Sequence, residues 1–402
     1  MEDFMPPGDE VESAPTSAFG AFELPDLPLE TYELAEEEDI SQVQNETNGA
    51  TDYAIIGTGQ CGGRLAEAFY NIGYKKSLVI NTAEQDLETV KLPDEHKMLI
   101  GTEGSGAGKD MRNGEAAAKK ASQAIFDRMR RIFGNCDHIM VCAGAGGGTG
   151  GGSLGTIVAA AKKYIEFIKA GDPDKRVGVV MTLPTSGELR SGNIKLNARN
   201  VLNDMATSAY KKQISPLIIV DNDKIGRLYR NLSPKAFWPT VNGTVAGLFD
   251  IFNKLAKLNT EYTTFDPVDY RSIMECGGCC IMGLTKVGDF SHETAISEAL
   301  STNLEKTLLA GGFSLESSTY AGSIAVCGTQ VMETPGVQDS INYGFDTVNN
   351  LVGDATLHRG LYENPNDKDS LKVYTVIGGL EPPKELMKEL GCNINELWPG
   401  EG

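Results

Sequence analysis

Eight glycines crowd into the twelve residues from Gly144 to Gly155, between the apolar run "HIMVCA" and the helix-like run "SLGTIVAAAKKYIEFIKA". Apolar flanks bury both ends of such a stretch, so it does not read as a flexible linker. Side chains are missing where backbone N–H groups must converge. A helix is expected to begin near Ser153, and its dipole and unpaired first-turn amides make its N-terminus an anion site. Thr149 and Ser153 add candidate hydroxyl donors. Strand, glycine loop and helix in that order predict an α/β fold with a parallel sheet and a ligand at the ends of its strands.

The same order occurs earlier. An apolar strand, Tyr53 to Ile56, runs into Gly57, Gly59, Gly62 and Gly63, and a helical pattern follows from Arg64 to Tyr70. Gly57, Gly59 and Gly62 fit G-x-G-x-x-G, which raises a dinucleotide-binding reading and predicts an acidic residue about 20 positions further on. The next strand, "SLVINTAEQD", ends instead in Asn81 and Thr82, with Glu84 and Asp86 nearby. That weakens the NAD reading and leaves it open. A P-loop fits less well: Glu103 stands where its first glycine belongs, and Asp110 follows Lys109 where Ser or Thr is required. Two glycine loops, each after a strand, point to one polyphosphate gripped from both sides.

At 402 residues the chain exceeds the roughly 250 to 300 at which single cores stop growing, so two domains are expected. No run of about 18 apolar residues is present and the first residues are acidic, which reads as a soluble, cytoplasmic chain without membrane insertion. Eight scattered cysteines suit reduced thiols. The net charge of -19 argues against direct nucleic-acid binding. Residues 1–50 hold fourteen Asp and Glu without Lys or Arg, leaving 41 acids against 36 bases in the other 352. With five prolines, residues 1–50 read as an acidic disordered tail. Its stretch Phe22 to Leu34 interleaves apolar and acidic residues, as a peptide for an adaptor or cargo protein would.

The glycine run also carries a resemblance. "GGGTGGG", Gly146 to Gly152, resembles the tubulin and FtsZ signature G-G-G-T-G-[TS]-G, with Gly151 where Thr or Ser is usual. "GTGQCGG", Gly57 to Gly63, is similar to the first phosphate loop of that superfamily, and "NTAEQDL" from Asn81 to an FtsZ segment. "GSGAGKDMRNGE" resembles the loop that senses the γ-phosphate, without its proline. "VVMTLPTSGE", ending at Glu188, and "IVDNDKIGRLYRN" look like loops of the plasmid- and phage-type TubZ class. In the latter, Asn222 stands where an asparagine faces guanine. A central helix is expected at 237–262, with Trp238 and Asn242 four residues apart on one face to stack on and read the base, and Pro239 in its first turn.

The resemblance implies nucleotide contacts at Gly57, Gly59, Gln60, Cys61, Gly62, Asn81, Gly106, Ala107, Gly108, Gly146, Gly147, Gly148, Thr149, Gly150, Gly151, Glu188, Asn222, Trp238 and Asn242. The paired asparagines favour GTP. "TFDPVDYRSIM" resembles the family's N-x-D-x-x-D loop, with Thr264 where Asn is usual. There Asp266 and Asp269 would orient water on the nucleotide of a neighbouring subunit, with Mg²⁺ on the phosphates. The bland reading, helix capping by the same two residues, stands beside it.

The resemblance places a Rossmann-like GTP-binding domain at 51–236 and a smaller α+β second domain with a mixed sheet at 263–380. A C-terminal helix and tail at 381–402, with Leu386 and Leu390 on one face, would dock on a neighbouring subunit. Cys276-x-x-Cys279 lacks a second pair, so metal is not expected there, and His96, His138, His292 and His358 show no ligand spacing. The function implied is a cytoskeletal GTPase that polymerises with itself head to tail and hydrolyses GTP to GDP at the subunit interface. Its cargo would be a plasmid or other DNA, a phage particle or a division site. The alternatives are a GTP-binding scaffold without turnover and an NAD-dependent oxidoreductase.

Overall fold

A computed structural model describes residues 43–101, 104–228, 232–288, 292, 294–304 and 311–399. The expected partner peptide Phe22 to Leu34 lies outside them.

The first half of the chain forms six parallel strands: β1 (Tyr53–Thr58), β2 (Ser77–Asn81), β3 (Lys97–Leu99), β4 (His138–Gly144), β5 (Val177–Leu183) and β6 (Leu217–Asp221). Their order in the sheet is β3-β2-β1-β4-β5-β6. β1, β2 and β5 are buried at every position, as strands with helices on both faces must be. From β1 the chain winds outward to β2 and β3, then returns to β4 on the other side, pairing Tyr53 with His138. That reversal leaves a crevice beyond the carboxyl ends of β1 and β4, and both glycine loops begin there.

The second half adds β7 (Cys279–Val287), β8 (Tyr320–Gly328), β9 (Thr356–Asn364) and β10 (Leu371–Leu380), in the order β7-β10-β8-β9. β10 is antiparallel to β7 and β8, while β8 and β9 run parallel, giving the expected mixed sheet. The two halves join edge to edge at one pair, Leu217 with Cys279.

Alternate residues of β1 feed cores on opposite faces. Ala54 and Ile56 pack with α3 (Gly148–Phe167) and α4 (Gly192–Tyr210); the same core continues under α8 (Ala295–Leu304) and α9 (Val337–Val352). Tyr53 and Ile55 pack with α1 (Gly59–Asn71), the central helix α6 (Pro234–Leu255) and α7 (Pro267–Met274). Two further helices matter below, α2 (Met111–Lys120) and α5 (Asn222–Leu228).

Several expected boundaries move. The Ser233 side chain caps α6 by accepting from Ala236 N, and Pro234 takes the first turn, so Pro239 lies inside the helix. The helix ends at Leu255, short of residue 262. Residues 43–50 are packed on the domain: Glu46 N donates to Gly73 O at 2.8 Å, Ala50 N to Asn253 O at 2.8 Å, and the Thr47 hydroxyl to Asp250 at 2.9 Å. The C-terminal helix α10 (Lys384–Leu390) buries Met387 and Leu390 against its own chain, and Cys392 donates to Arg199 O on α4. The neighbouring subunit expected as its partner is not needed to cover that face.

Candidate functional site

A cavity of about 260 Å³ opens at the carboxyl ends of β1, β4, β5 and β6. Its wall takes Gly59, Gln60, Cys61 and Arg64 from the first loop and α1, and Gly144 to Gly147 and Gly150 from the second. Gly59 has φ of 69°, a left-handed conformation that glycine adopts without strain, and a Cβ there would sit 2.8 Å from Gly150 N. The two loops therefore touch. Gly147 is the N-cap residue of α3 and offers no side-chain bond, and a Cβ on it would meet nothing within 4 Å. The N-terminus of α3 thus meets the cavity at Gly147 and Gly150, an arrangement suited to binding anions.

The rest of the glycine run has a different use. α3 begins at Gly148, five residues before Ser153, so these glycines form its first turns. A Cβ on Gly148 would lie 2.8 Å from Asp110 N, on Gly151 2.9 Å from Val201 Cγ2, and on Gly152 2.1 Å from Met111 O. The glycines let α2, its leading loop and α4 lie directly on α3. Gly57 and Gly62 likewise seat α1, with Cβ positions 2.3 Å from Gly62 O and 2.1 Å from Cys142 O. Gly57, Gly62, Gly148, Thr149 and Gly151 accordingly stand behind the cavity wall and do not line it. The expected hydroxyl donors are engaged within the protein: Thr149 Oγ1 with Thr82 Oγ1 at 2.6 Å, and Ser153 Oγ with Thr58 Oγ1 at 2.6 Å.

Asn81 is also one step back. Its carbonyl oxygen accepts from Thr82 N and Ala83 N, and its amide donates to Asp86, whose other oxygen accepts from Gln60 at 3.0 Å. Asn81 and Asp86 position Gln60 in the wall. Gly106 and Ala107 line an adjoining cavity of about 390 Å³, and Gly108 a further one. Of that loop only Lys109 reaches the main cavity.

Three residues here escaped the sequence reading. Lys109, with φ of 63°, and Arg64 bring positive charge to the cavity. Arg64 follows Gln60 by four positions on α1, a same-face spacing that could have flagged it. Asn197 gave no such signal, because its single amide donates to Lys109 O at 2.9 Å and Gly146 O at 3.2 Å, loops 88 and 51 residues away. It ties the two phosphate-side loops together.

At the far end of the cavity stand Asn222, Trp238 and Asn242. Both asparagines are only 6% exposed, and Trp238 meets Phe237 edge-on with centroids 5.0 Å apart. A ring and two carboxamides in one wall can stack on a purine and pair with its edge. Cys61 Sγ lies 3.0 Å from Thr182 Oγ1, and burial pushes its thiol above the ordinary value. Glu188 lines the mouth, held by Thr185 N and Oγ1 at 2.8 Å each.

Asp266 and Asp269 do not line this cavity. Asp266 caps α7, accepting from Val268 N at 2.7 Å and Asp269 N at 2.9 Å, and Asp269 accepts in return from Asp266 N at 3.0 Å. His358, read from sequence as an ordinary residue, lies with Nδ1 2.7 Å from the other Asp269 oxygen. The cap and the second carboxylate are thus one structure. All eight cysteines are free, and among the described residues no three His, Cys, Asp or Glu side chains converge on a metal-sized site.

Residues 53–230 match the Tubulin/FtsZ family, GTPase domain. The chain is 26% identical over 341 residues to the tubulin-like protein CetZ of Pyrococcus abyssi, covering 83% of this chain and 86% of that one. It is 25% identical over 344 residues to the cell division protein FtsZ 2 of Halobacterium salinarum, covering 83% and 77%. Among solved structures it resembles a GTPγS-form protofilament of TubZ from Bacillus thuringiensis serovar israelensis, with a TM-score of 0.71 at 17% identity over 87% of this chain and 92% of that one. CetZ2 from Haloferax volcanii, in a GTPγS-bound protofilament, gives 0.65 at 20% identity over 84% of this chain and 97% of that one.

Proposed function

We propose that this chain, whose residues 53–230 match the Tubulin/FtsZ family, GTPase domain, is a member of that superfamily that binds GTP in the cavity, polymerises head to tail and hydrolyses GTP where two copies meet. The observation that carries this reading is a separation. α6 holds Trp238 and Asn242 in the cavity at one end, while Asn253 near the other end bonds Thr51, just before β1 begins. The 22 residues of α6 span about 33 Å at 1.5 Å per residue. Asp266 and Asp269 follow that far end and do not line the cavity, so in this reading they act on the phosphates of a second copy stacked along the axis of α6.

In this reading Trp238 stacks on guanine, while Asn222 and Asn242 accept from its N1–H and N2–H. The amides of α3 and the cations Arg64 and Lys109 hold the phosphates. Mg²⁺ held with the phosphates would neutralise part of their negative charge. Asp266 and Asp269 of the adjoining copy accept hydrogen bonds from the attacking water and turn its lone pair toward the phosphorus. That the TubZ and CetZ relatives are described as protofilaments supports assembly of this chain. The filament would position DNA, a phage particle or a division site, with residues 1–42 as the contact for an adaptor.

Asp269→Asn tests hydrolysis while keeping an acceptor for the α7 cap. Phosphate release should fall at least about 100-fold, the usual share of a general base, with GTP binding and light scattering retained. Turnover at the normal rate would remove Asp269 from the mechanism. If wild type assembles with no phosphate release at all, the protein is a scaffold.

A further inference from the structure

Both oxygens of Asp269 are held, and by different parts of the fold. Oδ2 accepts from Asp266 N at 3.0 Å within the cap itself. Oδ1 lies 2.7 Å from Nδ1 of His358 on β9. A carboxylate can only accept, so Nδ1 carries a proton and donates it, which leaves Nε2 as the ring's other polar atom. That Nε2 is buried without a hydrogen-bond partner. The ring stacks on Tyr320, centroids 5.9 Å apart and planes 18° off parallel. A bare buried nitrogen costs stability that an apolar ring at this place would not. Packing alone does not account for a histidine here.

β9 grips the loop before α7 at Thr263 and Phe265. Leu361 N donates to Thr263 O at 2.8 Å, Phe265 N donates to the Tyr362 hydroxyl at 2.9 Å, and that hydroxyl donates to Phe265 O at 3.1 Å. Those bonds fix the backbone; His358 alone among them reaches a carboxylate. Two donors from two directions define the plane of the Asp269 carboxylate, and each oxygen keeps a lone pair for water. The cap requires only the Oδ2 bond.

Resting on the proposed hydrolysis at the junction, we propose that His358 is a positioning residue: by donating from Nδ1 it fixes the angle at which Asp269 meets the attacking water. It touches no nucleotide and acts through Asp269. Its loss should therefore lower the turnover of assembled subunits and leave GTP binding and assembly alone.

Three variants separate this from a structural role. His358→Asn keeps an N–H close to the Nδ1 position, His358→Gln carries it to the Nε2 position, and His358→Leu has none. Phosphate release is measured per assembled subunit, alongside the critical concentration with a non-hydrolysable GTP analogue. We expect His358→Leu and His358→Gln to lose up to about 100-fold in kcat, the scale of a 1 Å misplacement. KM for GTP and the critical concentration should stay within twofold, and His358→Asn should recover most of the rate. If His358→Leu fails to assemble, the Asn and Gln pair carries the test. Equal rates in wild type, Asn and Gln variants, with Asp269→Asn slow, would overturn the positioning role and leave the junction mechanism standing. Wild-type turnover in Asp269→Asn would remove both.

Discussion

His138 opens β4 inside the core, its ring 5.2 Å from that of Tyr53, and burial pulls its pKa from 6.5 down to about 3. Below pH 6.5 the unfolded chain takes up a proton there that the folded one refuses. Stability should therefore fall with pH from about 6.5 toward 3, by about 1.4 kcal/mol per unit from this group. Urea unfolding of His138→Phe at pH 7 and pH 5 checks this: the variant should lose less stability between the two than wild type, and an equal loss would contradict it. Single residues differ sharply in what the sequence could say about them. Asn222, Trp238 and Asn242 were legible because each stands in a recognisable local motif and each lines the cavity. Asn197 was not, since its two acceptors are brought to it only by the fold. The pairing of His358 with Asp269 was hidden for the same reason.

At the scale of elements, the glycine run shows how one local pattern can serve two purposes. The sequence shows where side chains are missing; it does not show which neighbour requires the gap. Gly147 faces open space, whereas a Cβ on Gly152 would meet the backbone oxygen of Met111 at 2.1 Å. Gly152→Ala should thus prise α2 from α3 and lower stability by about 1–3 kcal/mol. Gly147→Ala should leave the melting temperature within a degree or two and weaken GTP binding. Thermal melts with a nucleotide titration decide; equal effects of the two on stability would refute the division. In α9 a Cβ on Gly344 would lie 2.6 Å from Ile296 Cγ2, so this glycine, a poor helix former on its own, admits α8. β9 has a weak strand signal, because "TLHRGLYEN" mixes charge and glycine with its apolar residues. The longer apolar runs of β7, β8 and β10 were legible.

For the whole molecule, the decisive feature is polarity along α6. Trp238 and Asn242 line the cavity at one end, and two carboxylates that cap α7 follow the other. The packed segment 43–51 braces that second end through Asp250 and Asn253, so the domain begins before the residue 50 expected from charge alone. On the proposed reading the active site is divided in this way and completed in an assembly, where an open head-to-tail contact would repeat it along a filament. The most direct test is light scattering with simultaneous phosphate release, after addition of GTP and Mg²⁺, across a range of protein concentrations. Both signals should rise from one critical concentration. Phosphate release proportional to protein at concentrations that give no scattering would mean that a single copy holds a complete site, and the junction account would fail.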